Sequence, residues 1–326
     1  MLEYKALCMI LTLRRFFGDW SRCPIYAYSP RRSNIVSSWM LDVYRHFDVI
    51  PVIENINTDF VDYPLANKPI CMAHAECELG SEFLVFLDSD ILCWRQPDLF
   101  DIGSHADLAM TVDTTKSVAS SGLDDPLDSV WNDLYRVFGS NPDIFVTTSL
   151  DEKRVRGWWG SGVIVVRRNS GLMGKWLEGF VQAMTGVKFP ETACYLREQM
   201  TMSALALSCY ARFVELPISY NYQVQNYSFY SEKGVSPDKA ILWHYQPYFD
   251  REFRKFSKLA ASKSTVSEKI AAAEVFVKRL RESYPEMIGL DESMMQVFKK
   301  KIHIRKRVQQ IKKTSGKHQV IFLESI

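Results

Sequence analysis

Long apolar runs are missing from this chain. The longest nearly uninterrupted one, Ala6 to Leu13, is far short of the ~20 residues a membrane helix needs, so no segment is expected to span a bilayer. Cysteine is sparse and unpatterned. The seven residues, at 8, 23, 71, 77, 93, 194 and 209, are odd in number and contain no CxxC. That argues against a disulfide framework or a zinc cluster and reads as reduced thiols in a cytosolic compartment. The start, interrupted by Glu3 and Lys5, does not read as a secretory signal. Neither GxxxxGK[ST] nor GxGxxG occurs, so a P-loop NTPase and a dinucleotide oxidoreductase find no support. GxSxG is absent too, which removes Ser161 as a nucleophile-elbow serine. With 15 glycines and 13 prolines in 326 residues, and no internal repeat, fibrous and low-complexity classes are excluded.

What is present is an apolar fraction of 47%, enough for one substantial core with an appendage. The net charge of +2 is unevenly spread: residues 299–318 carry nine Lys or Arg and no acid, leaving a mildly acidic body. Strand and helix patterns alternate for most of the length. Helices are expected over Tyr4–Phe17, Asn34–Phe47, Asn67–Leu79, Leu127–Phe138, Leu172–Met184 and Glu191–Tyr210. Strands are expected at Pro24–Ser29, Val49–Ile53, Phe83–Leu87, Asp107–Val112, Val163–Arg167, Arg212–Leu216 and Ala240–Trp243. This order predicts an α/β fold with a mixed sheet flanked by helices. After Asp250 the pattern is helical, over Glu252–Leu259, Val266–Tyr284 and Glu292–Lys313. The expected division is therefore a domain over 1–250 and a helical, basic extension over 251–326.

Phe83–Leu87 (FLVFL) reads as a central strand covered on both faces, and it stops abruptly at Asp88-Ser89-Asp90. Two carboxylates at i and i+2 beyond a strand end can face one hard divalent cation, at the sheet edge where open α/β sheets bind ligands. A solvated acidic turn is the plain alternative. Gly160 and Gly162 lack side chains, so backbone can approach a ligand closely, with Ser161 offering a hydroxyl and Trp158 or Trp159 a stacking face. A tight turn entering the following strand explains the same glycines. Tyr220, Tyr222, Tyr227, Phe229 and Tyr230 either line a carbohydrate groove or form a packed cover. Met200 and Met202 read as core.

FLVFLDSDILCWRQPDLF resembles the DxD segment of nucleotide-sugar glycosyltransferases of the GT-A fold, especially the glycogenin and lipopolysaccharide galactosyltransferase-like group. Three further segments follow the family order: Asn67-Lys68-Pro69, Trp159-Gly160-Ser161-Gly162-Val163 (with Gly160 where the family has Asn), and Trp243-His244-Tyr245. The likeness covers residues 2–250. It implies transfer of a sugar from a nucleotide-diphosphate donor, UDP-linked, to an acceptor hydroxyl with retention. Asp88, Asp90 and His244 would hold Mn²⁺ or Mg²⁺, the mixed oxygen and nitrogen set suiting Mn²⁺ better. Lys68, Asp88, Ser89, Asp90, Gly160, Ser161 and Gly162 would contact the donor, Lys68 either as a point charge on phosphate or by pairing with Asp88 to orient it. Glu198 and Gln199 would lie by the reacting sugar, the carboxylate binding acceptor hydroxyls, or acting as base if the reaction inverts, and the amide backing the anomeric face if it retains. An ordinary helical Glu and a solvated Lys68 are the plain alternatives.

Two rival functions stay open. Family members begin with a strand and loop that hold the nucleotide base, whereas this sequence opens on a helix, so a catalytically silent GT-A-like binding or scaffold protein is the second reading. A sugar-phosphate nucleotidyltransferase is the third, disfavoured by the missing glycine-rich basic N-terminal loop. The acceptor, whether glycan, lipid-linked or protein, is not specified by the sequence. The basic stretch 293–318, with an apolar stripe including Phe298 and Ile302, suits peripheral contact with an anionic membrane. It lacks the interleaved aromatics or module of a nucleic-acid binder. A cytoplasmic, peripherally membrane-associated enzyme is thus expected.

Overall fold

The computed structural model describes residues 2–33 and 35–289. The chain forms two compact units, Met1–Glu274 and Val275–Ile326; the described part of the second, 275–289, is helix. The helix expected over Glu292–Lys313 and the basic stretch 293–318 lie outside the described residues.

In chain order the helices are α1 (Leu2–Phe16), α2 (Ser38–His46), α3 (Asn67–Glu78), α4 (Asp128–Phe138), α5 (Leu172–Gly186), α6 (Arg197–Ser208), α7 (Tyr227–Glu232), α8 (Asp250–Ala261) and α9 (Val266–Gly289). The strands are β1 (Ile25–Tyr28), β2 (Val49–Val52), β3 (Phe83–Leu87), β4 (Ile91–Cys93), β5 (Leu108–Val112), β6 (Phe145–Thr147), β7 (Arg154–Arg156), β8 (Trp159–Arg167), β9 (Phe213–Leu216), β10 (Tyr222–Gln223) and β11 (Leu242–His244). The local signals act as expected. Pro69 sits in the first turn of α3, where its missing N–H is no loss. At the end of α4, Gly139 takes φ 63°, a left-handed stop that a side chain would resist.

A four-stranded sheet ordered β3-β8-β5-β9 forms the centre. β8 pairs antiparallel with both β3 and β5, and β5 pairs parallel with β9, so the sheet is mixed. Successive side chains on a strand point to opposite faces, and here both faces are covered. Ile164 and Val166 enter a core with Met173, Trp176 and Phe180 of α5, whereas Val163 and Val165 enter a second core with Leu13 and Phe17 from the α1 side. The FLVFL run divides the same way, Leu84 to the first core and Val85 to the second. Each such fully buried side chain contributes ~1.5–3 kcal/mol relative to exposure. β3 is nonetheless not central: among the described residues its ladder partner is β8 alone. The apolar run reports two covered faces, not two paired edges.

A second sheet, ordered β10-β11-β4, stands beside it, with β11 antiparallel to β4 and parallel to β10. β1 and β2 form a parallel pair and β6 and β7 an antiparallel one. α8 turns Phe253 and Phe256 inward; Tyr245 stacks on Phe253 with ring centres 4.8 Å apart, and Lys5 of α1 pairs with Asp250 at 3.0 Å. All seven cysteines are free thiols.

Candidate active site

Strand register brings the DxD residues and the distant histidine together. The β3–β8 ladder, which ends with Leu87 opposite Val163, extends by one bond as the Asp88 N–H donates to the Gly162 carbonyl at 2.9 Å. The chain then turns through Ser89 and enters the other sheet as β4. There His244 lies opposite Ile91, and the Tyr245 N–H donates to the Asp90 carbonyl at 3.1 Å. One ligating atom each from Asp88, Asp90 and His244 then lies within 4.8 Å of the others. His244 Nε2 is 3.2 Å from Asp90 Oδ1, while its Nδ1 meets Asn221 Oδ1 at 2.8 Å. An acceptor at Nδ1 places the ring proton there and turns the Nε2 lone pair toward the carboxylates, the arrangement a metal-binding imidazole needs. Two carboxylates and an oriented imidazole fit a divalent cation.

Lys68, in the first turn of α3, is the hub of a second group. Its Nζ lies 3.0 Å from Asp88 Oδ2, 3.2 Å from Glu198 Oε1 and 3.2 Å from Ser161 Oγ. Ser161 in turn donates to Glu198 Oε1 at 3.1 Å. The solvated-lysine and exposed-glutamate alternatives fail, since both residues are buried. Glu198 Oε2 is buried and, among the described residues, has no hydrogen-bond partner. The expected helix over 191–210 is two pieces: a single 3-10 turn, Glu191–Ala193, precedes α6, whose first turn carries Glu198 and Gln199.

Gly160 and Gly162 lie within β8 and not in a turn before it. Across from them the β5 register slips, Ala109 facing Val165 and Thr111 facing Gly160, so residues 161–164 bulge against Met110 alone. Such bulges re-aim side chains beside active sites, and here Ser161 is directed at Lys68 and Glu198. A Cβ on Gly162 would sit 2.7 Å from His244 Cε1, and one on Gly160 would sit 3.0 Å from Asn221 Nδ2. The space left by the glycines is thus filled by protein side chains. Trp158 and Trp159 are fully buried and offer no stacking face to a ligand, because both indoles are committed to the core. Tyr220, Tyr222 and Tyr230 are buried as well, a packed cover, and Met200 and Met202 are core.

Sequence reasoning missed Asp113 and Asn221. Asp113 stands one residue beyond β5, as Asp88 does beyond β3, and accepts from Gln199 Nε2 at 2.6 Å. The strand-end rule applied to Asp88 would have found it. Asn221, between a 3-10 turn and β10, carries no such signal.

The charges are strongly coupled to burial. Desolvation raises the pKa of Asp88, Glu198 and Asp113, opposed at Asp88 and Glu198 by Lys68. At Asp90 burial acts in the same sense, but His244 outweighs it, together with Lys5 and Lys68, and holds the carboxyl down at about 2. Burial alone would lower the pKa of His244; the neighbouring Asp90 carboxylate raises it instead.

The sequence profile of the Rhodobacterales glycosyltransferase domain matches residues 1–206. This chain belongs to that glycosyltransferase family. The glycosyltransferase's match includes Lys68, the Asp88-Ser89-Asp90 turn, Gly160–Gly162 and Glu198-Gln199, and it stops before Asn221 and His244. A search of curated proteins finds no match. Among solved structures, the glycosyltransferase is similar to mouse xyloside xylosyltransferase 1 (11% identity, TM-score 0.44, 75% of this chain and 92% of that one). It is also similar to the galactosyltransferase LgtC with donor and acceptor sugar analogues (13%, 0.49, 83% and 96%). A third similar structure is the bifunctional glycosyltransferase WbbM (14%, 0.49, 83% and 50%), of which this chain spans half the length. No helix among the described residues is long and apolar enough to cross a membrane.

Proposed function

We propose that this glycosyltransferase uses a divalent metal to move a sugar from a nucleotide-diphosphate donor to an acceptor hydroxyl. The observation that carries the reading is the convergence of Asp88, Asp90 and His244 on one point. A divalent ion there, Mn²⁺ in preference to Mg²⁺ because one ligand is an imidazole, supplies Lewis-acid charge that stabilises the departing diphosphate. Lys68 holds Asp88 in place and adds fixed positive charge beside the same point. Glu198 Oε2, a buried acceptor without a donor among the described residues, suits a sugar hydroxyl, which is a donor by nature. UDP as the nucleotide and retention at the anomeric carbon rest on the motif resemblance; a cytoplasmic location rests on the unpatterned cysteines. Peripheral contact of residues 293–318 with anionic membrane rests on their charge pattern.

The test is hydrolysis and transfer of a panel of UDP-sugars with and without Mn²⁺, by the parent protein and by Asp90→Asn. The substitution keeps size and removes a ligand charge. Turnover that requires Mn²⁺ in the parent and falls about 100-fold or more in the variant, with an unchanged melting curve, is the expected result. Equal turnover by the two proteins overturns the metal assignment.

A further inference from the structure

Asp113 belongs to neither the metal site nor the Lys68 group. Its half-buried carboxylate faces protein donors: Oδ1 accepts from the Thr115 N–H at 3.3 Å and from Thr114 Oγ1 at 3.5 Å, and Oδ2 accepts from Gln199 Nε2 at 2.6 Å. A Cβ on Gly160 would lie 3.7 Å from Oδ2, so the carboxylate sits against the Gly160–Gly162 segment. An ionised carboxylate only accepts, whereas a glutamine amide can present either its NH₂ or its carbonyl. With Oδ1 pinned by Thr115, Oδ2 can be satisfied by Gln199 in one orientation only. Gln199 Oε1 is then turned away from Asp113, and no described residue donates to it.

We infer that Asp113 is a positioning residue that locks the Gln199 amide with its carbonyl oxygen presented to the bound sugar. This rests on the transfer reading and on the expectation, from the motif resemblance, that Gln199 borders the sugar. Because one neighbour is a backbone N–H, the effect of Asp113→Asn is specific. The new amide oxygen must stay on Thr115, so its NH₂ faces Gln199 and demands the Gln199 carbonyl. The hydrogen bond survives and the Gln199 amide turns over, offering NH₂ where an oxygen stood. In Asp113→Asn/Gln199→Glu the carboxylate moves to position 199, accepts from the amide now at position 113 with one oxygen and presents the other, restoring an oxygen to the site. Gln199→Glu alone sets a buried carboxylate against the half-buried one of Asp113.

The experiment measures melting temperature, kcat and donor KM for the parent, the two single variants and the double variant with a UDP-sugar and Mn²⁺. Expected is a kcat about 10- to 100-fold lower in Asp113→Asn with KM and melting temperature close to the parent, since geometry and not fold is altered. The double variant should regain most of that loss. It should also recover the melting temperature that Gln199→Glu loses, a coupling that needs no activity to be seen. Parent-like kcat in Asp113→Asn, or a double variant no more stable than Gln199→Glu, overturns the inference. If the coupling in stability appears while the parent turns over no UDP-sugar, Asp113's hold on the amide is upheld and the transfer reading is what fails.

Discussion

Adding one methyl group to Gly162 should damage the site more than its size implies. The ideal Cβ would lie 2.7 Å from His244 Cε1, 2.9 Å from its Nδ1 and 3.3 Å from Asp88 Oδ2. Ordinary carbon contact is ~3.5–4 Å, so the ring has to move by roughly 1 Å. It is held on two sides, by Asn221 at 2.8 Å and Asp90 at 3.2 Å, and the Gly162 carbonyl is tied to the Asp88 N–H at 2.9 Å. Overpacking a close-packed interior costs about 1–3 kcal/mol and a lost hydrogen bond about 1 kcal/mol. For Gly162→Ala the sum is about 2–4 kcal/mol, a fall in melting temperature of about 5–10 °C. Displacing one of three ligands should also weaken Mn²⁺ binding about 10- to 100-fold. Gly160→Ala is the milder comparison: its Cβ meets Asn221 Nδ2 at 3.0 Å and reaches the His244 ring only indirectly, through the hydrogen bond that Asn221 makes to it, so both effects should be smaller. Scanning calorimetry and Mn²⁺ titration of the two variants decide the matter. A Gly162→Ala protein with the parent's melting temperature and metal affinity would refute the close approach of strand and imidazole.

Lys68→Met should cost about 3–5 kcal/mol at neutral pH, because Asp88 and Glu198 lose the cation between them. Both carboxyls already titrate above their ordinary values in the fold. Their destabilising charge is therefore present above the folded pKa and relieved as pH falls through it, so melts at pH 7 and pH 5 should show acid recovery; none would count against the Lys68 hub. Asn221→Ala removes the partner of His244 Nδ1 and should weaken Mn²⁺ binding about 10- to 100-fold with a smaller effect on melting; titration calorimetry checks it, and unchanged affinity refutes a role in orienting the ring. In metal-free protein the raised His244 pKa adds stability that is full below 6.5 and lost as pH rises through the folded value. A metal competes with that proton, so apparent Mn²⁺ affinity should increase from pH 6 to pH 8, and a flat profile would remove His244 from the ligand set.

The sequence shows β3, α3 and the DxD turn clearly because each carries a local signal: an apolar run, a proline in a first turn, two carboxylates at a strand end. The same signals are silent on edges. FLVFL announces two covered faces, and only the ladder shows that β8 is its one partner among the described residues. The short strands β4 and β10, of three and two residues, have too few side chains to display a period. Burial of Lys68 and Glu198 was equally hidden, since a charged residue reads as solvated until its partners are placed. Trp158 and Trp159 show the converse, a motif position with ligand-like chemistry spent on the core. Asn221 reaches His244 only through the pairing of β10 with β11.

Because the Asp88-Ser89-Asp90 turn is the last step of one sheet and the first of another, its length is tied to two ladders at once. A residue gained or lost in an ordinary hairpin slides one strand against one neighbour, and flanking loops absorb the slip. Here the same change would set the β3–β8 register against the β4–β11 register, and neither has slack. Exposed connections, such as residues 53–62 between β2 and α3, are freer to vary in length. Insertions and deletions among descendants of this chain should accumulate in such connections and spare the three residues between β3 and β4.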